Sequence, residues 1–137
     1  MIRESYLRFM DQTPEERKAF LAELNRIALY TAEVLHGEDV PKGRVKQYKK
    51  YFNKTYKMIH RLASMKGDIN NNSFKYGYGG KILVRRVLLE LGIVKKKPSF
   101  QKKATYTLMV AQEEITLELV SRIIVEVYLI RNDVEPL

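Results

Sequence analysis

The chain has 137 residues, no cysteine, 45% hydrophobic residues and a formal net charge of +9. This length suits one domain around a single core, and the hydrophobic share argues against a disordered chain. Disulfides, thiolate zinc sites and cysteine nucleophiles are excluded.

No apolar run reaches the roughly 18–20 residues needed to cross a bilayer. The opening MIRESYLRFMDQ lacks the apolar stretch and small-residue cleavage site of a signal peptide. The expectation is a cytoplasmic protein with no membrane partner, folded as one helical domain over 1–137.

Within the first element, IRESYLRFM suits a short helix of about two turns. A long helix follows in TPEERKAFLAELNRIALYTAEVLHG. Thr13 is its N-cap, Pro14 suits the first helical position and Glu16 completes a capping box. Phe20, Leu21, Leu24, Ile27, Ala28, Val34 and Leu35 give the apolar spacing, and Gly37 is the stop. The next helix is predicted from near Pro41 to about Met65, preceded by Asp39 or Val40 as N-cap. Between residues 66 and 80 lies a basic, Asn- and Gly-rich loop. KILVRRVLLELG then forms a helix ending at Gly92, and VKKKPSFQKK is a basic connection broken by Pro98.

The segment from about Ala104 to Arg131 carries two signals. EITLELV alternates as a strand does. Glu114, Glu118, Arg122 and Glu126, however, recur every four residues opposite Val120, Ile123, Ile124, Val127 and Ile130, which favours helix. The predicted fold is therefore all-α, a compact bundle of four to five helices.

Charge is segregated along these elements. Residues 40–112 carry 18 basic residues against only Asp68 and Glu90, whereas both flanks are net acidic. On a helical wheel, Lys46, Lys50, Lys54, Lys57 and Arg61 fall within about 80°, a stripe roughly 22 Å long. Val45, Tyr48, Phe52, Thr55, Ile59 and Leu62 occupy the opposite side. Most basic helix faces are merely solvated. Like charges four residues apart, though, cost about 0.2–0.5 kcal/mol per pair, and a solvated helix normally relieves them with acids. Here there are none, so the stripe points to a polyanion.

Regularly spaced phosphates with counterion release make nucleic acid the best-fitting polyanion. A membrane fits less well, because a globular core can take the apolar face. The loop adds Lys75 and Lys81 as phosphate contacts and Tyr76 and Tyr78 as stacking platforms, with glycines permitting close approach; its alternative is a plain connector. Arg85, Arg86, Lys95, Lys96, Lys97, Lys102 and Lys103 extend the positive territory. There is no zinc-finger spacing, zipper or aromatic ribonucleoprotein signature, so backbone contacts without base reading are expected. No HExxH, P-loop, GxSxG or paired-carboxylate arrangement is present, and His36 and His60 suit structural roles. Neither an enzyme nor a cofactor is expected.

The stretch VPKGRVKQYKKYF, with Arg44-Val45-Lys46 followed by Tyr48, resembles the small subunit of the type III-A CRISPR–Cas effector, the Csm complex. LELVSRIIVEVYLIRN is similar to the closing helix of that family. Pro41 and Gly43 stand where the family more usually has Ser or Thr, and NNNSFKYGYGG has no counterpart in it. The resemblance implies a non-catalytic antiviral-defence subunit that contacts guide or target RNA through its backbone. It also implies other effector subunits as partners, and self-association. Phosphate contacts would then come from Arg44, Lys46, Lys50, Lys54, Lys57 and Arg61. The alternatives are a stand-alone DNA- or RNA-binding regulator with a helix in the major groove, and an assembly subunit docking an acidic protein.

Overall fold

The computed structural model describes residues 12–37, 39–65, 69–74, 79–98 and 103–131. The expected short helix before Gln12 lies outside them. Helix α1 spans Pro14–His36 and α2 spans Arg44–Ser64. Strand β1 covers Ile69–Asn70 and runs into a 3-10 turn, Asn71–Phe74. Helix α3 covers Lys81–Glu90, strands β2 and β3 cover Val94–Lys96 and Thr105–Leu108, and α4 covers Leu117–Arg131.

The start of α1 forms as its residues dictate. Glu16 donates its backbone N–H to the Thr13 hydroxyl at 3.1 Å, and Thr13 N–H returns to the Glu16 carboxylate at 3.3 Å. At the other end Gly37 adopts φ 70° and closes onto the Glu33 carbonyl, a conformation only glycine takes cheaply. Leu24, Ile27, Ala28 and Ala32 are buried, but Leu21 and Val34 are about half exposed (47% and 53%). The buried face is thus narrower than the sequence pattern suggested, and the polar Thr31 belongs to it.

α2 begins three residues later than expected. Its N-cap is Gly43 in the left-handed region at φ 82°, not Asp39 or Val40. Tyr48, Phe52, Met58, Ile59 and Leu62 are buried to 2% exposure or less. α1 packs on α2 and on α4, α2 also packs on α4, and α3 packs on α4 and on the 71–74 turn. Val84, Val87 and Leu88 of α3 and Val120, Ile123, Ile124 and Val127 of α4 complete the shared core.

The expected all-α bundle is corrected by a three-stranded antiparallel sheet of order β1-β3-β2. The basic connection supplies β2, the Asn-rich loop supplies β1, and Thr105–Leu108 supplies β3. Val94 pairs with Leu108, Lys95 with Thr107, Lys96 with Tyr106, and Ile69 pairs with Tyr106 from the other side. The helix predicted over 104–131 begins only at Leu117. Thr-Tyr-Thr-Leu alternates and is β-prone, so once β2 and β1 offer edges it pairs with them. A 3-10 turn at Gln112–Glu114 follows. Thr116 then accepts the Leu119 N–H at 3.2 Å and starts α4.

Candidate nucleic-acid interface

The amphipathic division of α2 has a direct physical origin. With 3.6 residues per turn, its apolar positions meet α1 and α4, and residues three or four apart on the far side face out. Lys46, Lys50, Lys54 and Lys57 are all exposed. None of these four forms an ion pair with another described residue, whereas Arg26 pairs with Glu23 and Glu118, and Arg86 with Glu90. Tyr51 and Tyr56 sit half-buried at the borders of the apolar face. Burial raises the Tyr56 phenol above its ordinary pKa, so it stays a neutral, ring-shaped neighbour of the stripe. Its ring packs 5.2 Å from Phe20 and 4.4 Å from His60, which places the buried His60 in the packing and away from solvent chemistry.

The two ends of the stripe differ from its middle. At the N-terminal end, Pro41, Lys42, Arg44, Lys46 and Lys50 line an open cleft of about 560 Å³. Arg44 is half-buried and donates to the Gln47 amide oxygen at 3.3 Å, and Gln47 donates to the Tyr51 hydroxyl at 2.8 Å. At the C-terminal end, Arg61 is half-buried and its guanidinium donates to the Ser73 carbonyl. Arg61 therefore anchors the 71–74 turn to α2. The wheel placed it in the stripe because a wheel sees only the helix and not the chain folding back on it.

The remaining predicted contacts gather around that same turn. Lys81 Nζ donates to Asn72 Oδ1 at 2.9 Å, and Arg85 Nη1 donates to Asn71 Oδ1 at 2.8 Å. Arg86 is exposed and pairs with Glu90 at 3.1 Å along α3. Lys75 and Tyr76, like Tyr78 and Lys102, lie outside the described residues. The structure thus joins Arg61, Lys81 and Arg85 through one turn, and leaves Lys46, Lys50, Lys54 and Lys57 as a separate open row.

A second, smaller cleft of about 160 Å³ opens between α1 and α2 beside the row. Arg17, Asn53 and Lys57 form its polar side and Phe20, Leu21 and Leu24 its apolar side. Sequence reasoning missed this cleft, because the apolar spacing of α1 counts Leu21 with Leu24 and Ile27 and does not show that its side chain stays half exposed. Among the described residues no group of His, Asp and Glu is arranged to hold a metal ion, and no helix is long and apolar enough to cross a membrane. No family model matches the chain, and neither a curated protein nor a solved structure matches it.

Proposed function

We propose that this protein binds nucleic acid without catalysing a reaction, holding a phosphate backbone along the outer face of α2. The observation that supports it is the row Lys46, Lys50, Lys54 and Lys57, exposed and without an acidic partner among the described residues. Such a row is electrostatically unfavourable on a bare helix and favourable once its lysines displace the counterions condensed on a phosphate backbone. Lys42 and Arg44 extend it into the cleft at the helix start.

The specific form suggested by the Arg44-Val45-Lys46 and Tyr48 resemblance is a small subunit of a type III-A CRISPR ribonucleoprotein. In that role the row lies along guide or target RNA, other effector subunits are partners, and the fold is essentially a helical bundle to which the sheet is an addition. Fluorescence anisotropy with a labelled single-stranded RNA at two salt concentrations tests this. Binding should weaken steeply with salt, with a logarithmic slope of about −0.7 per neutralised phosphate on a single strand. Lys50→Glu with Lys57→Glu should weaken it at both salt concentrations. Unchanged RNA affinity in that double variant rejects the row as the binding face. No nucleic-acid affinity even at low salt turns the assignment toward a surface that docks an acidic protein.

A further inference from the structure

Lys81, Arg86, Lys95 and Lys103 lie away from the α2 row, on α3 and the β2–β3 hairpin. α3 ends in a tight turn where Ile93 N–H bonds the Leu88 carbonyl at 2.9 Å and Gly92 N–H bonds the Leu89 carbonyl at 3.1 Å. Gly92 has φ 73°, the left-handed conformation that such a helix stop requires. Ile93 is buried, and its carbonyl accepts from Met109 N–H at 2.7 Å, just past β3. On the opposite side, Asn71 Oδ1 accepts from Arg85 at 2.8 Å and from the Tyr106 hydroxyl at 3.3 Å. Helix and hairpin are therefore braced against each other, each with an exposed face of its own.

Those outer faces share a chemistry. Ile82 on α3 is 66% exposed, more than any other large hydrophobic residue among those described. Lys81 and Arg86 flank it, both exposed. On the hairpin, Lys95 is exposed and pairs across with the exposed Thr107, while Lys103 is exposed at the entry to β3. Lysines on an edge strand are also a common defence against edge-to-edge pairing. That defence accounts for Lys95 but not for an isoleucine left in water between two cations on the neighbouring helix.

We infer that α3 and the β2–β3 hairpin dock together on duplex DNA, with the first turns of α3 in the major groove and the hairpin lysines on adjacent phosphates. A helix with its side chains is about 10–12 Å across and the major groove about 12 Å wide, so α3 fits end-on or lengthwise. Within the groove an exposed aliphatic side chain finds the thymine methyl, and an arginine finds the guanine O6 and N7. Arg86 reaches such an edge by leaving Glu90, an exposed pair of little stability. Lys95 and Lys103 supply position without sequence information. RNA is the poorer partner, since the A-form major groove is too deep and narrow for a helix, and a single strand has no groove at all. This surface goes beyond the α2 assignment and shares with it only the sign of the charge.

The test is anisotropy of the full chain on a labelled 30-base-pair duplex and on single-stranded RNA of matching sequence, after selecting the duplex from a randomised pool. Ile82→Ala and Arg86→Ala should each weaken the selected duplex at least about fivefold, the scale of one lost base contact, and leave RNA affinity unchanged. Lys95→Gln with Lys103→Gln should shrink the duplex salt slope by about 0.9 per lost phosphate contact. Because Ile82 is exposed, Ile82→Ala should melt at the wild-type temperature, so a loss of binding is not a loss of fold. Duplex affinity unchanged in Ile82→Ala and Arg86→Ala overturns the inference, as does a failure of selection to enrich any sequence. If RNA binding sensitive to Lys50→Glu persists in those cases, the α2 assignment survives; if it is absent too, both fail.

Discussion

Thr31 of α1 and Ser121 of α4 share a buried hydrogen bond of 2.7 Å between residues ninety positions apart. Thr31 spends its single hydroxyl proton on the Ile27 carbonyl at 2.8 Å, so Ser121 is the donor to Thr31. The arrangement is asymmetric, and so are its predicted deletions. Ser121→Ala leaves Thr31 still bonded to Ile27 and should cost about 0.5–1.5 kcal/mol, the net worth of one hydrogen bond. Thr31→Val leaves the Ser121 hydroxyl buried without its acceptor and should cost about 1–3 kcal/mol. The double variant should be more stable than the sum of the two losses predicts. Urea unfolding of the four proteins in a double-mutant cycle reads the difference, and strict additivity would show that the two hydroxyls do not interact.

Lys50 separates function from stability, because the two respond with opposite signs. It lies four residues from Lys46 and from Lys54 on the exposed face of α2. Lys50→Glu converts two like-charge neighbours into two opposite-charge pairs, which should stabilise the fold by about 0.2–0.5 kcal/mol per pair. The same change should weaken nucleic-acid binding and flatten its salt dependence. A thermal melt and a salt titration on one preparation check both. A variant that loses binding and melts lower would mean that Lys50 serves the fold, which the α2 proposal does not allow.

What could be seen in advance follows from how local each feature is. The capping box of Thr13 and Glu16, the stop at Gly37 and the two faces of α2 were all visible, since helical caps and periodicity are local. The sheet was not. β1 and β2 are two and three residues long, too short for alternation to register. Lys95 and Lys96 read as part of a basic connection until β3 is placed beside them. Arg61 shows the same limit at the candidate site. Its position on the wheel is correct, yet the turn that returns to it through Ser73 is a long-range event. The exposed lysines were legible because no described residue folds over them.

Gly79 and Gly80 are neighbours with opposite requirements. Gly79 has φ 91°, and a Cβ there would stand 3.1 Å from Val127 Cγ1 and 3.5 Å from Leu83 Cδ2. Val127 is fully buried on α4, so the side chain has little room to give. Gly79→Ala should therefore cost at least about 1–3 kcal/mol, from the left-handed backbone alone, and loosen α3 from α4. Gly80 is the N-cap of α3 with φ −73° and has nothing within 4 Å of an added Cβ. Gly80→Ala should be close to neutral, because reduced freedom of the unfolded chain, worth about 0.4–1 kcal/mol, offsets a poorer cap. Chemical denaturation of the two variants side by side is the check. Equal losses would remove the backbone explanation.

His36 gives the fold a pH dependence whose sign can be worked out. Its Nε2 lies 2.8 Å from the Tyr48 hydroxyl, and its ring packs against Tyr48 and, edge-on, against Tyr128. Burial in this junction, and secondarily the charge of Arg44, lowers its pKa below the ordinary 6.5. The neutral ring can accept the Tyr48 proton, whereas the charged ring must displace it. The unfolded chain consequently takes up the proton at a higher pH than the folded one. Stability is then fully present above about pH 6.5 and is lost as the pH falls below it, until the folded-state value is passed. Glu23, which Arg26 holds below its ordinary 4.5, titrates outside that window. Melting temperatures at pH 7.5, 6.5 and 5.5 should fall toward acid in the wild type and fall less in His36→Gln. If the two proteins lose the same number of degrees between pH 7.5 and 5.5, the proton that destabilises the fold binds elsewhere.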